Sequence, residues 1–287
     1  FERLTAGDQL SIARPYPHAL AMWPAVVGLL IFFWAELIWS GGSVPRNLAI
    51  AILIYAVVTW GGMFVYGRDV WLQNGDTFSV IFGILARFAP LELRVVDNTA
   101  VVSTCAGPAC HYKALECVNG YHCLARVAPE QRQWNLRPPA LGLLNDQRVR
   151  FSMMILVIVL LATVTFDGLL ETRLWTHILD RTLSDEIRWV GSAALVLFSA
   201  GFLFIYLFFS ALMCRLAQRY GENNGVGRLK STLEVASAFV LTLVPIAIAY
   251  HLAHYLSYLV ITGQYFIPRV SDPFGYGWNI FGTANYK

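Results

Sequence analysis

The stretch Leu229–Ile267 constrains this chain more than any other. Most of it is apolar, and it is long enough to cross a bilayer, which takes roughly 20 residues. Within it stand two histidines, His251 and His254. Polar side chains are costly in hydrocarbon and usually face a protein interior or a water-filled path. On a helix His251, His254, Tyr255 and Tyr258 fall at i, i+3, i+4 and i+7, one face of the rod, whereas Thr242 and Tyr250 lie off it. That stripe is the leading candidate for a working face inside the membrane.

Composition points the same way. The chain has 287 residues, 57% of them hydrophobic and 14% charged, with a mean hydropathy of +0.54. A soluble domain carries about 25% charged residues, so lipid is the natural solvent for this much apolar surface. Nine Trp, 13 Tyr and 18 Phe supply aromatic belts for two interfaces. The net charge is +3, and the basic residues are spread along the loops with no cluster that would select a nucleic acid.

Five spans are expected. Ala19–Trp39 is apolar except for Glu36 near its end, and a breaker-rich turn, Ser40–Arg46, joins it to Asn47–Tyr66 as an antiparallel helical hairpin. Asp76 is placed to cap a helix over Thr77–Phe88, where Phe78, Ile81, Phe82, Leu85 and Phe88 recur at helical spacing. That helix is too short to span and is expected to lie on the membrane. Phe151–Leu170, Ile187–Leu216 and Leu229–Ile267 complete the five, with Trp175–Leu183 a short amphipathic connection and Pro245 a kink in the last. Ser271–Thr283 reads as an ordered interfacial loop. The fold class is therefore all-α, a polytopic transmembrane bundle. It divides into 1–90 (two spans and the interfacial helix), 91–150 (an extramembrane lobe) and 151–287 (three spans and the terminal loop).

The chain begins at Phe1 with polar residues and no signal peptide, and both ends are expected to be cuts through a longer protein. Most of the 21 Lys and Arg fall on the side of the N-terminus, the 67–150 segment and the 217–230 loop. Positive-inside counting puts that side in the cytoplasm of a bacterial inner-membrane, multi-pass protein.

The lobe Leu91–Arg150 holds Cys105, Cys110, Cys117 and Cys123, spaced C-x4-C-x6-C-x5-C, with His111 and His122 beside two of them. Zinc sites favour pairs separated by two to four residues. Disulfides are the second reading and require the oxidising side of the membrane, in conflict with the charge count. Unpaired thiols are the third. Leu93–Asp97 and Ala100–Ser103 are candidate short strands of this lobe. Cys214, in a span, reads as a small core residue.

Several motifs resemble a family of bacterial polytopic membrane proteins that bears the label fenitrothion hydrolase. They are Trp23-Pro-Ala-Val-Val-Gly28, Trp34-Ala-Glu-Leu-Ile-Trp39, Thr59-Trp-Gly-Gly-Met63, Leu85-Ala-Arg-Phe-Ala-Pro90, Thr163-Val-Thr-Phe-Asp-Gly168, His251-Leu-Ala-His-Tyr255, Ser271-Asp-Pro-Phe-Gly-Tyr-Gly-Trp278 and Phe281-Gly-Thr-Ala284. The resemblance covers nearly the whole chain outside the cysteine lobe. It implies further membrane helices beyond Phe1 and Lys287, and its label implies hydrolysis of an organophosphate ester. It assigns no role to any numbered residue.

Three functions stay open. The first is transport, conduction or membrane-subunit work on the His251, His254, Tyr255 and Tyr258 face, with the bilayer and other membrane subunits as partners. The second is a membrane-bound hydrolase or redox enzyme with His251 and His254 binding a metal or haem; against it, no G-x-S-x-G elbow or H-E-x-x-H motif occurs. The third is a scaffold whose cysteine lobe binds a partner. Asp167 and Glu171, four apart near the end of a span, are a candidate carboxylate pair for a cation or a shared proton, with a helix end at headgroup level as the plain reading. Glu36 is a candidate partner for a histidine, or an interfacial residue.

Overall fold

The computed structural model describes residues 12, 14–95, 132–144, 149–180, 186–221 and 231–284. The four cysteines of the lobe, His111, His122 and the expected strand Ala100–Ser103 lie outside them.

The protein is mostly helical. Among the described residues four helices have the length and apolarity to cross a membrane: Pro45–Tyr66, Phe151–Leu170, Ile187–Arg219 and Thr232–Ser271, the last a run of several helical segments. The chain is thus compatible with an integral membrane protein. It divides into two compact units, one reaching Pro245 and the other starting at Ile246.

In the first unit, α1 (Trp23–Leu37) starts later than the apolar run does. Pro24 stands in its first turn, where a missing N–H costs nothing. Ahead of it Ala21 has a positive φ, and its carbonyl accepts from the Tyr16 hydroxyl. At roughly 1.5 Å per residue α1 is about 22 Å long, short of the expected Ala19–Trp39 span. α2 (Pro45–Tyr66) follows the short turn and buries only Gly62; side chains such as Leu53, Val57 and Trp60 are exposed all round it. A helix this apolar with so little protein against it is built to face lipid.

After Gly67 the chain forms a short helix not foreseen in the sequence, α3 (Arg68–Asn74), and then α4 (Thr77–Leu85) with a 3-10 turn at Ala86–Phe88. Trp71 of α3 stacks on Tyr66 and lies where a Cβ at Gly62 would have to go, so the glycine admits the indole against α2. α4 buries Thr77, Val80, Ile81 and Ile84 and exposes Phe82. The expected apolar stripe 78/81/82/85/88 is therefore not its buried face. Strands β1 (Leu91–Val95) and β2 (Arg132–Leu136) pair antiparallel, Leu91 opposite Leu136 and Val95 opposite Arg132. The partner strand comes from the far end of the lobe.

α5 (Phe151–Leu170) is the core. Most of its residues are buried, with Met154, Leu156, Val157, Thr163, Val164 and Phe166 fully so. It packs against α1 and against α7 (Ile187–Gly221), with α6 (Arg173–Leu179) between them in sequence. α8 (Thr232–Phe239) lies on α7, where the Tyr206 hydroxyl donates to the Ala236 carbonyl. α1 is tied to α7 by Trp34 Nε1 donating to Ser192 Oγ at 2.8 Å. Cys214 is buried on α7, as a small core residue would be. The second unit holds the rest of α9 (Leu243–Thr262), a 3-10 turn, α10 (Phe266–Ser271) and the terminal loop. The units part after Pro245, which lies within α9; the helical run is broken just before it, by a 3-10 turn at Val240–Thr242.

Candidate functional site

The first unit contains a buried carboxylate that sequence reading assigned only to capping. Asp76 caps α4 as expected, its Oδ2 accepting from the Ser79 backbone N–H at 2.9 Å. Its Oδ1 also accepts from the Thr59 hydroxyl at 3.0 Å and from the Tyr55 hydroxyl. Tyr55 and Thr59 are i and i+4 on α2, with Tyr55 near the middle of that helix. Asp76 is only 5% exposed. Phe78 covers the cluster, with ring contacts to Phe32 at 5.3 Å and to Tyr55 at 5.5 Å. Next to it, the buried Thr77 hydroxyl donates to the Ala25 carbonyl at 3.4 Å, and a Cβ at Gly28 would collide with that same hydroxyl.

Burial pushes the Asp76 carboxyl up. The hydrogen bonds from Tyr55, Ser79 and Thr59 more than offset this and hold it below the ordinary carboxylate range. The group is thus kept ionised by three donors and the N-terminal end of α4. The sequence showed only the hydroxyl pair, spaced Tyr-x3-Thr in an apolar helix; that it meets Asp76 comes from the fold.

A second polar cluster anchors the hairpin. Arg137 donates from Nε to the Ala89 carbonyl and from Nη2 to the Arg87 carbonyl, each at 3.1 Å, and its Nη1 lies 4.0 Å from Glu92 Oε1. Asn135 Nδ2 donates to Glu92 Oε2 at 3.2 Å. Arg137 therefore ties the carbonyls ending the 3-10 turn to the buried Glu92 carboxylate. Burial lowers the affinity of the Arg87 guanidinium for its proton, and its Nε has no hydrogen-bond partner among the described residues.

The second unit carries the histidine stripe. His251 is half-buried, and its Nδ1 donates to the Ala247 carbonyl one turn back at 2.7 Å. A carbonyl can only accept, so Nδ1 holds a proton, and in the neutral ring Nε2 carries the lone pair. That Nε2 is buried and has no hydrogen-bond partner among the described residues. His254 meets Tyr255 edge-on at 5.0 Å, and the His251 and Tyr255 rings are 6.1 Å apart. Tyr258 is 65% exposed, whereas His251, His254 and Tyr255 are half-buried.

Of the other candidates, Asp167 is half-buried near the end of α5, Glu171 is exposed at its C-terminal cap, and Glu36 is exposed on the last turn of α1. Among the described residues no group of three or more His, Cys, Asp or Glu is placed to hold a metal ion. Comparison with family models, curated proteins and solved structures finds no match for this chain.

Proposed function

We propose that this is a multi-pass protein of a bacterial inner membrane that conducts or transports a small charged species, or does so as the membrane subunit of a larger assembly, with His251 and His254 as its working groups. The observation behind this reading is His251 itself. Its own helix fixes the tautomer, and the remaining ring nitrogen stays buried with an uncommitted lone pair. Such an imidazole can take up and release a proton within a helix made mostly of Leu, Ile, Val, Ala and Tyr. Proton flux in vesicles reconstituted with the purified protein, driven by an imposed potential, tests it. Wild-type protein should pass protons, and replacing both histidines by Phe should cut the flux at least tenfold without altering detergent-phase melting. Equal flux from folded wild-type and doubly substituted protein, or none from either, would sink the proposal.

The same nitrogen favours one further reading. Metal-bound histidines characteristically donate their second N–H to a carbonyl, as His251 Nδ1 does. On this reading His251 and His254 would supply two ligands to a metal or haem, the remaining ligands coming from elsewhere. The purified protein would then carry stoichiometric metal or absorb visible light, and His251→Phe would abolish either property.

A further inference from the structure

In the segment after α10 the side chains of Ser271, Asp272 and Asn279 serve the backbone. Asp272 Oδ1 accepts from the Tyr276 N–H at 2.9 Å and Oδ2 from the Gly277 N–H at 2.8 Å. Ser271, fully buried, accepts from the Phe281 N–H at 3.1 Å and donates to Asn279 Oδ1 at 3.2 Å. Asn279 Oδ1 also accepts from the Ala284 N–H at 3.0 Å, and the Ser271 carbonyl accepts from the Ile280 N–H at 3.2 Å. The aromatic side chains point outward. Phe274, Tyr276 and Trp278 touch one another with centroids 5.5 to 6.0 Å apart, yet Phe274 and Tyr276 are among the most exposed large side chains of the protein.

A loop in water has no need to satisfy its N–H groups internally and gains nothing by showing its rings. A loop in a poorly hydrated medium needs both. This one follows directly on a helical run long and apolar enough to cross a membrane, which closes at Ser271. The end of a span lies at headgroup level, the zone that Tyr and Trp favour because one end of each ring system is apolar and the other polar. Arg269, exposed just before the loop, suits lipid phosphate.

We infer that Ser271–Ala284 is a preformed bilayer anchor, with the Phe274, Tyr276 and Trp278 cluster seated at the boundary between lipid headgroups and acyl chains. The test is tryptophan quenching in phosphatidylcholine vesicles holding the full chain. The share of emission due to Trp278 is the difference between wild type and Trp278→Phe, which keeps an aromatic ring in place. That share should be quenched by lipids brominated near the glycerol end of the acyl chain, less by bromine at the chain terminus, and not by aqueous iodide. Quenching by iodide would place the loop in water, and quenching by neither agent would place it under protein; both outcomes overturn the inference. In an Asp272→Ala background the Trp278 share should become accessible to iodide. An unchanged pattern there would refute the claim that Asp272 holds the anchor in shape.

Discussion

The Tyr55 hydroxyl of α2 donates to the Asp76 carboxylate at the head of α4, a link between residues on a lipid-facing helix and a buried cap. Asp76→Ala removes the cap, worth about 1 kcal/mol, and takes the acceptor from the part-exposed Tyr55 and Thr59 hydroxyls, at about 1 kcal/mol each. The expected loss is about 3 kcal/mol in detergent-phase unfolding. Asp76→Asn keeps an acceptor oxygen and should lose clearly less. Equal losses would show that the charge, not the hydrogen bonding, is what matters.

The same carboxylate sets an acid limit. Its folded pKa lies below its unfolded value of about 3.9. Its contribution to stability is therefore complete above the unfolded value and fades as pH falls through the folded one. Melting temperature should drop on acidification below about pH 4, and the drop should be shallower in Asp76→Asn. Parallel curves for the two proteins would remove Asp76 from the acid response.

Gly62→Ala forces a methyl group into the Trp71 ring. Overpacking of this kind typically costs about 1–3 kcal/mol. Trp71→Leu should relieve most of that cost in the double variant, so the two changes should be strongly non-additive. Additive melting shifts would mean that α3 moves away from α2 without penalty.

Arg137→Met strips two carbonyls of their donor and leaves Glu92, with a side chain 5% exposed, without this cation. Breaking a buried pair from one side costs about 3–5 kcal/mol. Arg137→Lys should recover only part, because one ammonium cannot reproduce the fork that reaches two carbonyls and a carboxylate. The readout is protease cleavage after β2: faster for Met, intermediate for Lys. Unchanged cleavage in Arg137→Met would show that the hairpin holds without it.

Long apolar runs were readable in the sequence because they depend on local composition. Phe151–Leu170 has the predicted bounds, and Asn47–Tyr66 is extended only by the first-turn proline and Arg46. The Asp76 cap was readable for the same reason: a cap is a contact three residues long. What could not be read was which way each helix faces. In water an apolar stripe marks the buried side, but lipid accepts apolar side chains as readily as a core does. α4 accordingly buries Thr77 and Val80 while showing Phe82. Pairings across long separations escaped for a different reason. β1 pairs with Arg132–Leu136, about 40 residues on, and nothing local to Asp76 reveals that Tyr55 and Thr59 will meet it.

The near-bare surface of α2 has a bearing on how its letters can change. Where a side chain meets only acyl chains, Leu, Ile, Val and Phe are close to equivalent, so most of Pro45–Tyr66 tolerates exchange among them. Three positions do not share that freedom: Tyr55 and Thr59, which hold a carboxylate, and Gly62, which makes room for an indole. A saturation library over this helix should return a hydropathy rule broken at three points, a pattern that could be recognised without any knowledge of what the protein does.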